Sequence, residues 1–291
     1  PLQKMGTTIW ARKGGKAPLS IKKNNNQSTL DKINYKLPVA SAQVKSSLLL
    51  AALYSSGKTI LKEPALSRDH TERMLKAAGI NLIKKDKTII LKAASRRKLN
   101  SFSIKIPGDI SSAAFFMAAT LLIPESKLLL PDIGINPTRS GFIEVIKKMG
   151  ANIKLLNRRE ICGEPIADIV IKSSKLKGVE IKGDIIPRLI DEIPILAVLA
   201  SQAEGKTIIR DAEELRVKET DRIKAIVSQF KKLGIKVEEL EDGMIIQGAN
   251  KLSGGIKVNS QQDHRIAMAL SILGLKSKKG LTIKDFEVIN T

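Results

Sequence analysis

From Ser41 onward, apolar and polar positions follow one order that returns every ~70–80 residues, the spacing of a structural repeat. A polar knot comes first. An apolar helix, a short strand, an amphipathic helix stopped by glycine, and one or two strands follow. The first copy runs from SAQVKSSLLLAALYSSG (Ser41–Gly57) through KTILKE, the helix RDHTERMLKAAG ending at Gly79, and INLIKKDKTIILKA. The second opens at DISSAAFFMAATLL (Asp109–Leu122), continues with KLLLPDI, and stops its closing helix SGFIEVIKKMG at Gly150. The third opens at DEIPILAVLASQAEG (Asp191–Gly205), and the fourth at DHRIAMALSILGL (Asp263–Leu275) with the strand GLTIKDF after it. Gly79, Gly150 and Gly234 each precede the same kind of strand: INLI, ANIK and IKVE. This pattern predicts an α/β fold assembled from repeated βαβαββ units.

The two helix types should differ in environment. Opening helices are apolar nearly all round and are expected to be buried, whereas closing helices are amphipathic and are expected on the outside. In the Asp211–Gly234 stretch, Ile223, Ile226, Val227, Phe230 and Leu233 recur at three- and four-residue steps before the glycine stop. Its first half is dense in charge, with Glu213, Glu214, Arg216, Lys218, Glu219, Asp221 and Arg222. A salt-bridged first turn accounts for that as well as a site does. Asn24–Asn34 reads as an exposed turn and Lys84–Lys87 as a hairpin tip. The opening LQKMG reads as the tail of a closing helix, so the chain starts inside a unit, and it stops after the fourth copy's strand. With no initiator methionine, the expectation is a fragment lacking at least one unit upstream and a short tail downstream.

Composition narrows the class. The 291 residues suffice for two domains, and 43% hydrophobic with 27% charged residues is a globular profile. The longest apolar run, Ala113–Ile123 interrupted by Thr120, is too short to span a bilayer. One cysteine, Cys162, excludes an internal disulfide and is expected to fill space in the core. With it and two histidines, His70 and His264, no zinc-ligand spacing exists, and no metal or cofactor is expected. The net charge of +21 leaves three readings open: nucleic acid, a small anionic substrate in a basic cleft, or a lysine-rich bias without functional meaning. An aromatic content of 3% and scattered lysines speak against the first.

The knots carry the candidate chemistry. Ser41-Ala42-Gln43, Asp109-Ile110-Ser111-Ser112, Asp191-Glu192 and Asp263-His264-Arg265 each fall at the start of a buried helix, where free N–H groups favour anions. Plain N-capping is the competing explanation. Caps do not require the arginine of DHR or the glutamine of SAQ. If like positions face one cleft, it gathers Arg68, Lys218, Arg222 and Arg265 with Asp191 and Glu219, a composition suited to phosphate and carboxylate ligands with acid–base work beside them. No Walker loop, GxGxxG fingerprint or Ser-His-Asp arrangement occurs.

Five motifs in order and spacing then decide the comparison: LPVASAQVKSSLLLAAL, SRDHTERML, DEIPILAVLA, ELRVKETDRI and DHRIAMAL, with NPTRSG (Asn136–Gly141) beside them. Over its whole length the chain resembles the 5-enolpyruvylshikimate-3-phosphate synthase family. UDP-N-acetylglucosamine enolpyruvyl transferase, the alternative, shares fold and reaction type but does not normally carry SAQ, SRDH and RVKE together. A basic nucleic-acid-binding repeat protein is the distant alternative.

The resemblance implies an inverse α/β, barrel-like prism of two domains closing over their substrates. Residues 1–107 would be the remaining part of the shikimate-3-phosphate domain. Residues 108–291 would form the second domain, with the hinge near IPGD. The activity implied is transfer of the enolpyruvyl group of phosphoenolpyruvate to the 5-hydroxyl of shikimate 3-phosphate, a step of chorismate and aromatic amino-acid biosynthesis. Ser41, Ala42, Gln43 and Arg68 would hold shikimate 3-phosphate, with Asp191 and Lys218. Asp191 would orient the attacking hydroxyl, Glu219 would exchange a proton with the methylene carbon, and Lys218 would assist. Arg222, Arg265 and Gln43 would bind phosphoenolpyruvate. His264 would orient Arg265, and His70 would be structural. A monomer in the cytosol is implied, or in a plastid if the source is a photosynthetic eukaryote, with no nucleic-acid or membrane partner. The family's lysine-serine-arginine motif, its glycine-rich loop and one arginine would lie before Pro1, and Glu287 stands where many members have a lysine. The 291 residues alone are therefore expected to be inactive, and a phosphate-release assay on the isolated chain checks this.

Overall fold

The computed structural model describes residues 1–23, 29–92 and 99–290. The chain forms two compact units, Pro1–Lys105 with Ile161–Glu164, and Ile106–Glu160 with Pro165–Thr291.

In the first unit a short 3-10 turn, Leu2–Met5, ends at Gly6 in the left-handed region (φ 87), as expected for the tail of a closing helix. An antiparallel hairpin follows, β1 (Thr7–Arg12) and β2 (Lys16–Lys23). The chain's one tryptophan, Trp10, is 52% exposed on β1. Then come β3 (Asn34–Lys36), α1 (Ala42–Ala52), β4 (Thr59–Lys62), α2 (His70–Ala77), β5 (Leu82–Lys85) and β6 (Thr88–Leu91). Their sheet has the order β3-β4-β6-β5, with β3 and β4 parallel and the other pairs antiparallel. That is one βαβαββ unit.

The second unit repeats the plan. Its first copy holds α3 (Ile110–Leu122), β7 (Lys127–Gly134), α4 (Gly141–Lys148), β8 (Asn152–Ile161) and β9 (Glu164–Lys172), in sheet order β7-β9-β8. The leading strand is reduced there to one parallel bridge between Gly108 and Ile133. The next copy is complete: β10 (Glu180–Ile181), α5 (Ile193–Gln202), β11 (Lys206–Ile209), α6 (Arg222–Lys232), β12 (Val237–Leu240) and β13 (Gly243–Gln247). Its order, β10-β11-β13-β12, matches β3-β4-β6-β5 strand for strand, parallel pair included. A last parallel pair, β14 (Ile256–Asn259) and β15 (Leu281–Lys284), flanks α7 (His264–Gly274). The α/β fold and its repetition are as the hydrophobic pattern predicts.

Burial follows that pattern in the second unit and departs from it in the first. In α5 every residue from Ile193 to Ser201 is buried, and α3 leaves only Ser112 and Phe116 exposed. These two helices and α7 pack on one another, so apolar side chains are covered on every side. Helix α1 has no helix of its own kind beside it among the described residues of the first unit. Leu48, Leu49 and Ala52 enter the smaller core, while Leu50 on the opposite face is 51% exposed. The expected all-round burial is therefore corrected for α1. The closing helices are amphipathic as expected: α6 buries Ile223, Ile226, Val227 and Phe230 and exposes Lys224, Lys231 and Lys232.

Two local expectations change. The turn expected over Asn24–Asn34 falls partly on residues 24–28, outside those described. Beyond them Leu30 bridges to Ser55, Ile33 is buried, and Asn34 already opens β3. Cys162 is no core filler. It occupies the turn between β8 and β9 at φ 50, partly exposed, with its thiol donating to the Ser103 carbonyl oxygen at 3.2 Å. The hairpin tip at Lys84–Lys87 is present, with Asp86 at φ 51. No helix among the described residues is long and apolar enough to cross a membrane.

The difference between the two cores is measurable. Leu196→Ala, in α5, is expected to cost about 2–5 kcal/mol in urea unfolding because it opens a cavity on a helix packed all round. Leu50→Ala is expected to stay within about 0.5 kcal/mol, since its side chain is half in water.

Candidate active site

In the second unit the polar knots converge. Asp109 caps α3, its two carboxylate oxygens accepting from the Ser111 and Ser112 amides at 3.2 Å each. Asp263 caps α7, with Oδ1 accepting from the Arg265 amide at 2.8 Å and the Ile266 amide at 3.2 Å. Asp191 and Glu192 differ: they form a 3-10 turn running into α5, and neither side chain caps it. Each knot satisfies or leads the first turn of an apolar helix, and the packing of those helices places the knots in one another's reach.

Arg222, the first residue of α6, is the hub. It is 1% exposed. Its Nε donates to Asp263 Oδ2 at 2.8 Å, its Nη2 donates to Glu219 Oε2 at 2.7 Å, and its Nη1 lies 3.6 Å from Asp191 Oδ1. A buried guanidinium needs such partners, because an unpaired charge away from water is costly. Asp221 caps α6 through the Lys224 amide at 3.0 Å and also accepts from Arg216 at 2.8 Å. Arg216 in turn binds Glu239 and the Leu240 and Glu241 carbonyls, which fixes the segment carrying Glu219. The charge-dense approach to α6 is thus both a salt-bridged helix start and part of the cluster.

Arg265 is partly exposed, and its Nη1 donates to the Asp191 carbonyl oxygen at 3.3 Å, which leaves further N–H groups of its five-donor fork for a ligand. Asp191, Glu219, Arg222 and Arg265 are therefore brought together. Lys218 is engaged with Glu214, one helical turn away in sequence. His264 stands at the first position of α7, and Glu287 is exposed in the final 3-10 turn.

Three members of the cluster, Glu192, Ser111 and Arg139, were not given a substrate or catalytic role by sequence reasoning. Glu192 is buried and accepts from the Ser111 hydroxyl, and the Arg139 guanidinium donates to Ser111 Oγ and, at 3.1 Å, to Asp109 Oδ1. Burial pushes the Glu192 carboxyl above its ordinary range and neighbouring Asp191 adds to this, while the Ser111 hydrogen bond, Arg139 and Arg265 oppose it. The loop before α4 presents Arg139: Asn136 Oδ1 accepts from the Thr138 amide and hydroxyl, and Arg188 Nε donates to the Pro137 carbonyl at 2.6 Å. Gly141 lets the chain pass close to Arg188, since a Cβ there would sit 3.1 Å from the Arg188 backbone. The signal available beforehand was NPTRSG itself, whose arginine precedes a helix start as the other knots do.

In the first unit Ser41 caps α1, accepting from the Val44 amide at 3.3 Å, with Ala42 and Gln43 in the first turn and Gln43 exposed. Arg68 is partly exposed on the segment leading to α2. His70, the first residue of α2, has Nδ1 2.7 Å from Glu164 Oε1, a structural contact within that unit. No group of three or more His, Cys, Asp or Glu side chains that could hold a metal occurs among the described residues.

The family model of EPSP synthase (3-phosphoshikimate 1-carboxyvinyltransferase) matches residues 1–291. The chain belongs to the EPSP synthase family. Among curated relatives, the 3-phosphoshikimate 1-carboxyvinyltransferases of Petrotoga mobilis and Brevibacillus brevis are 52% and 51% identical over 291 residues, the whole of this chain. The chain spans 66% of the length of the Petrotoga protein and 67% of the Brevibacillus protein. An EPSP synthase structure from Acinetobacter baumannii matches with a TM-score of 0.89 at 43% identity, covering 99% of this chain and 66% of that one. The enolpyruvyl transferase NikO from Streptomyces tendae, at 16% identity and a TM-score of 0.78, shares the fold.

The buried carboxyl gives a pH test for this family member. A raised carboxyl contributes stability that is fully present below its ordinary value and is lost as pH rises through the folded one. Glu192→Gln removes that loss, so it is expected to raise the melting temperature at pH 7–8, by about 2–4 °C for each kcal/mol recovered. The advantage should vanish near pH 4, and parallel pH profiles for the two proteins would contradict this assignment.

Proposed function

We propose that this chain carries out, as part of an EPSP synthase, the transfer of the enolpyruvyl group of phosphoenolpyruvate to the 5-hydroxyl of shikimate 3-phosphate with release of phosphate. The observation that supports this most is the convergence of Asp191, Glu219 and Asp263 on the buried Arg222, with Arg265 beside them. Acids and a partly free arginine in one cluster suit proton transfer next to an anion. Identity of about 50% to proteins bearing that enzyme name supports the same reading.

In this reading Ser41, Ala42, Gln43 and Arg68 of the first unit hold the phosphate of shikimate 3-phosphate, and residues 1–107 act as its domain. Asp191, mostly covered, accepts from the attacking hydroxyl and orients it, and Lys218 exchanges Glu214 for the same substrate. Glu219, half exposed and tied to Arg222, gives a proton to the methylene carbon as the new C–O bond forms. It takes the proton back as the C–O bond to phosphate breaks. Arg265 binds phosphoenolpyruvate through its remaining N–H groups. Arg222, held by Asp263 and Glu219, presents Nη1 to it, and Gln43 assists. Residues 108–291 act as the domain of the catalytic carboxylates. The protein works as a monomer in this reading, and in the cytosol, a placement supported by its single cysteine and bacterial relatives.

Calorimetric titration of the 291-residue chain separates the alternatives. Shikimate 3-phosphate is expected to bind and UDP-N-acetylglucosamine not to bind, with Arg68→Ala weakening the former at least ~10-fold through loss of a charge-assisted contact. In a preparation long enough to turn over, Asp191→Asn and Glu219→Gln are each expected to lower kcat by about 10²–10⁴ while still folding cooperatively, with Asp263 left to pair with Arg222. Binding of the sugar nucleotide in preference, or variants with unaltered kcat, would sink the assignment.

A further inference from the structure

A second buried ionic cluster lies in the first unit, outside every residue given a role so far. Lys45 is 0% exposed in α1, and its ammonium is surrounded by Glu63 Oε2 at 3.2 Å, Glu72 Oε1 at 2.8 Å and the Ser67 carbonyl oxygen at 3.5 Å. Two of these are hydrogen bonds, to Glu63 and to Ser67, and the Glu72 carboxylate adds a close ion pair. Glu63 and Glu72 are themselves 2% exposed, and neither carboxylate oxygen of Glu72 receives a well-aligned hydrogen bond. A core seeking stability alone is served as well or better by apolar side chains of the same volume, since desolvating the charges costs about what their attraction returns.

What the cluster does fix is one short segment. The Ser67 amide donates to Glu63 Oε1 at 3.3 Å, its hydroxyl donates to the same oxygen, and its carbonyl faces Lys45. Ser67 is therefore held at three points, and Arg68 is the next residue. Lys45 also lies one helical turn after Ser41, whose carbonyl accepts from the Lys45 amide at 3.1 Å. A second tie, Ser46 Oγ to Thr71 Oγ1 at 2.6 Å, joins α1 to α2 just beyond. Through one ammonium, the capped start of α1 and the segment bearing Arg68 are locked in a common frame.

We infer that Lys45, with Glu63 and Glu72, is a positioning residue that holds Ser67 and Arg68 in register with the N-terminus of α1, so that the two form one preorganised anion site. The anion's identity rests on the function proposed above, whereas the positioning does not. Preorganisation of this kind acts on affinity, because an ordered arginine loses less freedom on binding.

The test uses the whole 291-residue chain and Lys45→Met, which removes the charge and keeps the bulk. Two readouts are taken: hydrogen exchange at the Ser67 amide, and calorimetric affinity for shikimate 3-phosphate. Lys45→Met is expected to melt cooperatively, to lose about tenfold or more of the protection at Ser67 while α1 keeps its own, and to bind shikimate 3-phosphate about tenfold more weakly. The double variant Lys45→Met/Arg68→Ala is expected to bind no more weakly than Arg68→Ala, because Lys45 acts through that residue. Unchanged Ser67 protection overturns the inference, as does an affinity loss that adds in full to that of Arg68→Ala. If the wild-type chain fails to bind shikimate 3-phosphate, the functional reading falls and the exchange measurement decides the positioning by itself. Should Lys45→Met not fold, Glu63→Gln, which keeps an oxygen for Ser67 and removes the charge facing Lys45, carries the expectation of weaker binding that does not add to the loss from Arg68→Ala.

Discussion

A helix buried on all sides still has to satisfy the free N–H groups of its first turn, and that constraint organises the second unit. Helices α3, α5 and α7 pack on one another, and each begins at a polar residue. Carboxylates at Asp109 and Asp263 answer the free amides, and at the fully buried Asp263 this brings negative charge inside. Arg222 and Arg139 answer that charge in turn, each reaching back to a capping aspartate. The candidate site grows from this sequence of compensations, with Arg222 held at a helix N-terminus, where the dipole disfavours a cation, by the carboxylates around it. Capping and catalysis are not rival explanations for Asp263, because the cap holds the carboxylate where the buried guanidinium needs it.

The two units show how far the same repeat depends on its neighbours. Sheet order and the single parallel pair are the same in β3-β4-β6-β5 and in β10-β11-β13-β12, so topology belongs to the individual copy. Burial belongs to the company a copy keeps. In α5 every residue from Ile193 to Ser201 is covered, whereas α1, which also carries a lysine and two serines, turns Leu50 to water.

Much of this was legible in the sequence. The glycine stops at Gly79, Gly150 and Gly234 fixed the frame of the repeat, and all three adopt positive φ as a helix end requires. The knots were legible because Ser and Asp before an apolar run have a local meaning. Asp191, Glu219, Arg222 and Arg265 lie together in the second unit, four of the six residues that one cleft was expected to gather, while Lys218 turns to Glu214 and Arg68 belongs to the first unit. Glu192, Ser111 and Arg139 were not legible as a group, because their contacts join residues far apart in sequence and a serine in a first turn reads as a cap. Lys45 was the hardest case. On a helix it looks like any solvated lysine, and only the backbone path of residues 63–67 shows that water never reaches it.

The placement of the sole indole has an experimental meaning of its own. Trp10 stands half in solvent on the first hairpin, and the second unit contains no such chromophore. Emission from this protein therefore speaks for one part of the polypeptide. A fluorescence titration or melt will follow the opening hairpin and its surroundings.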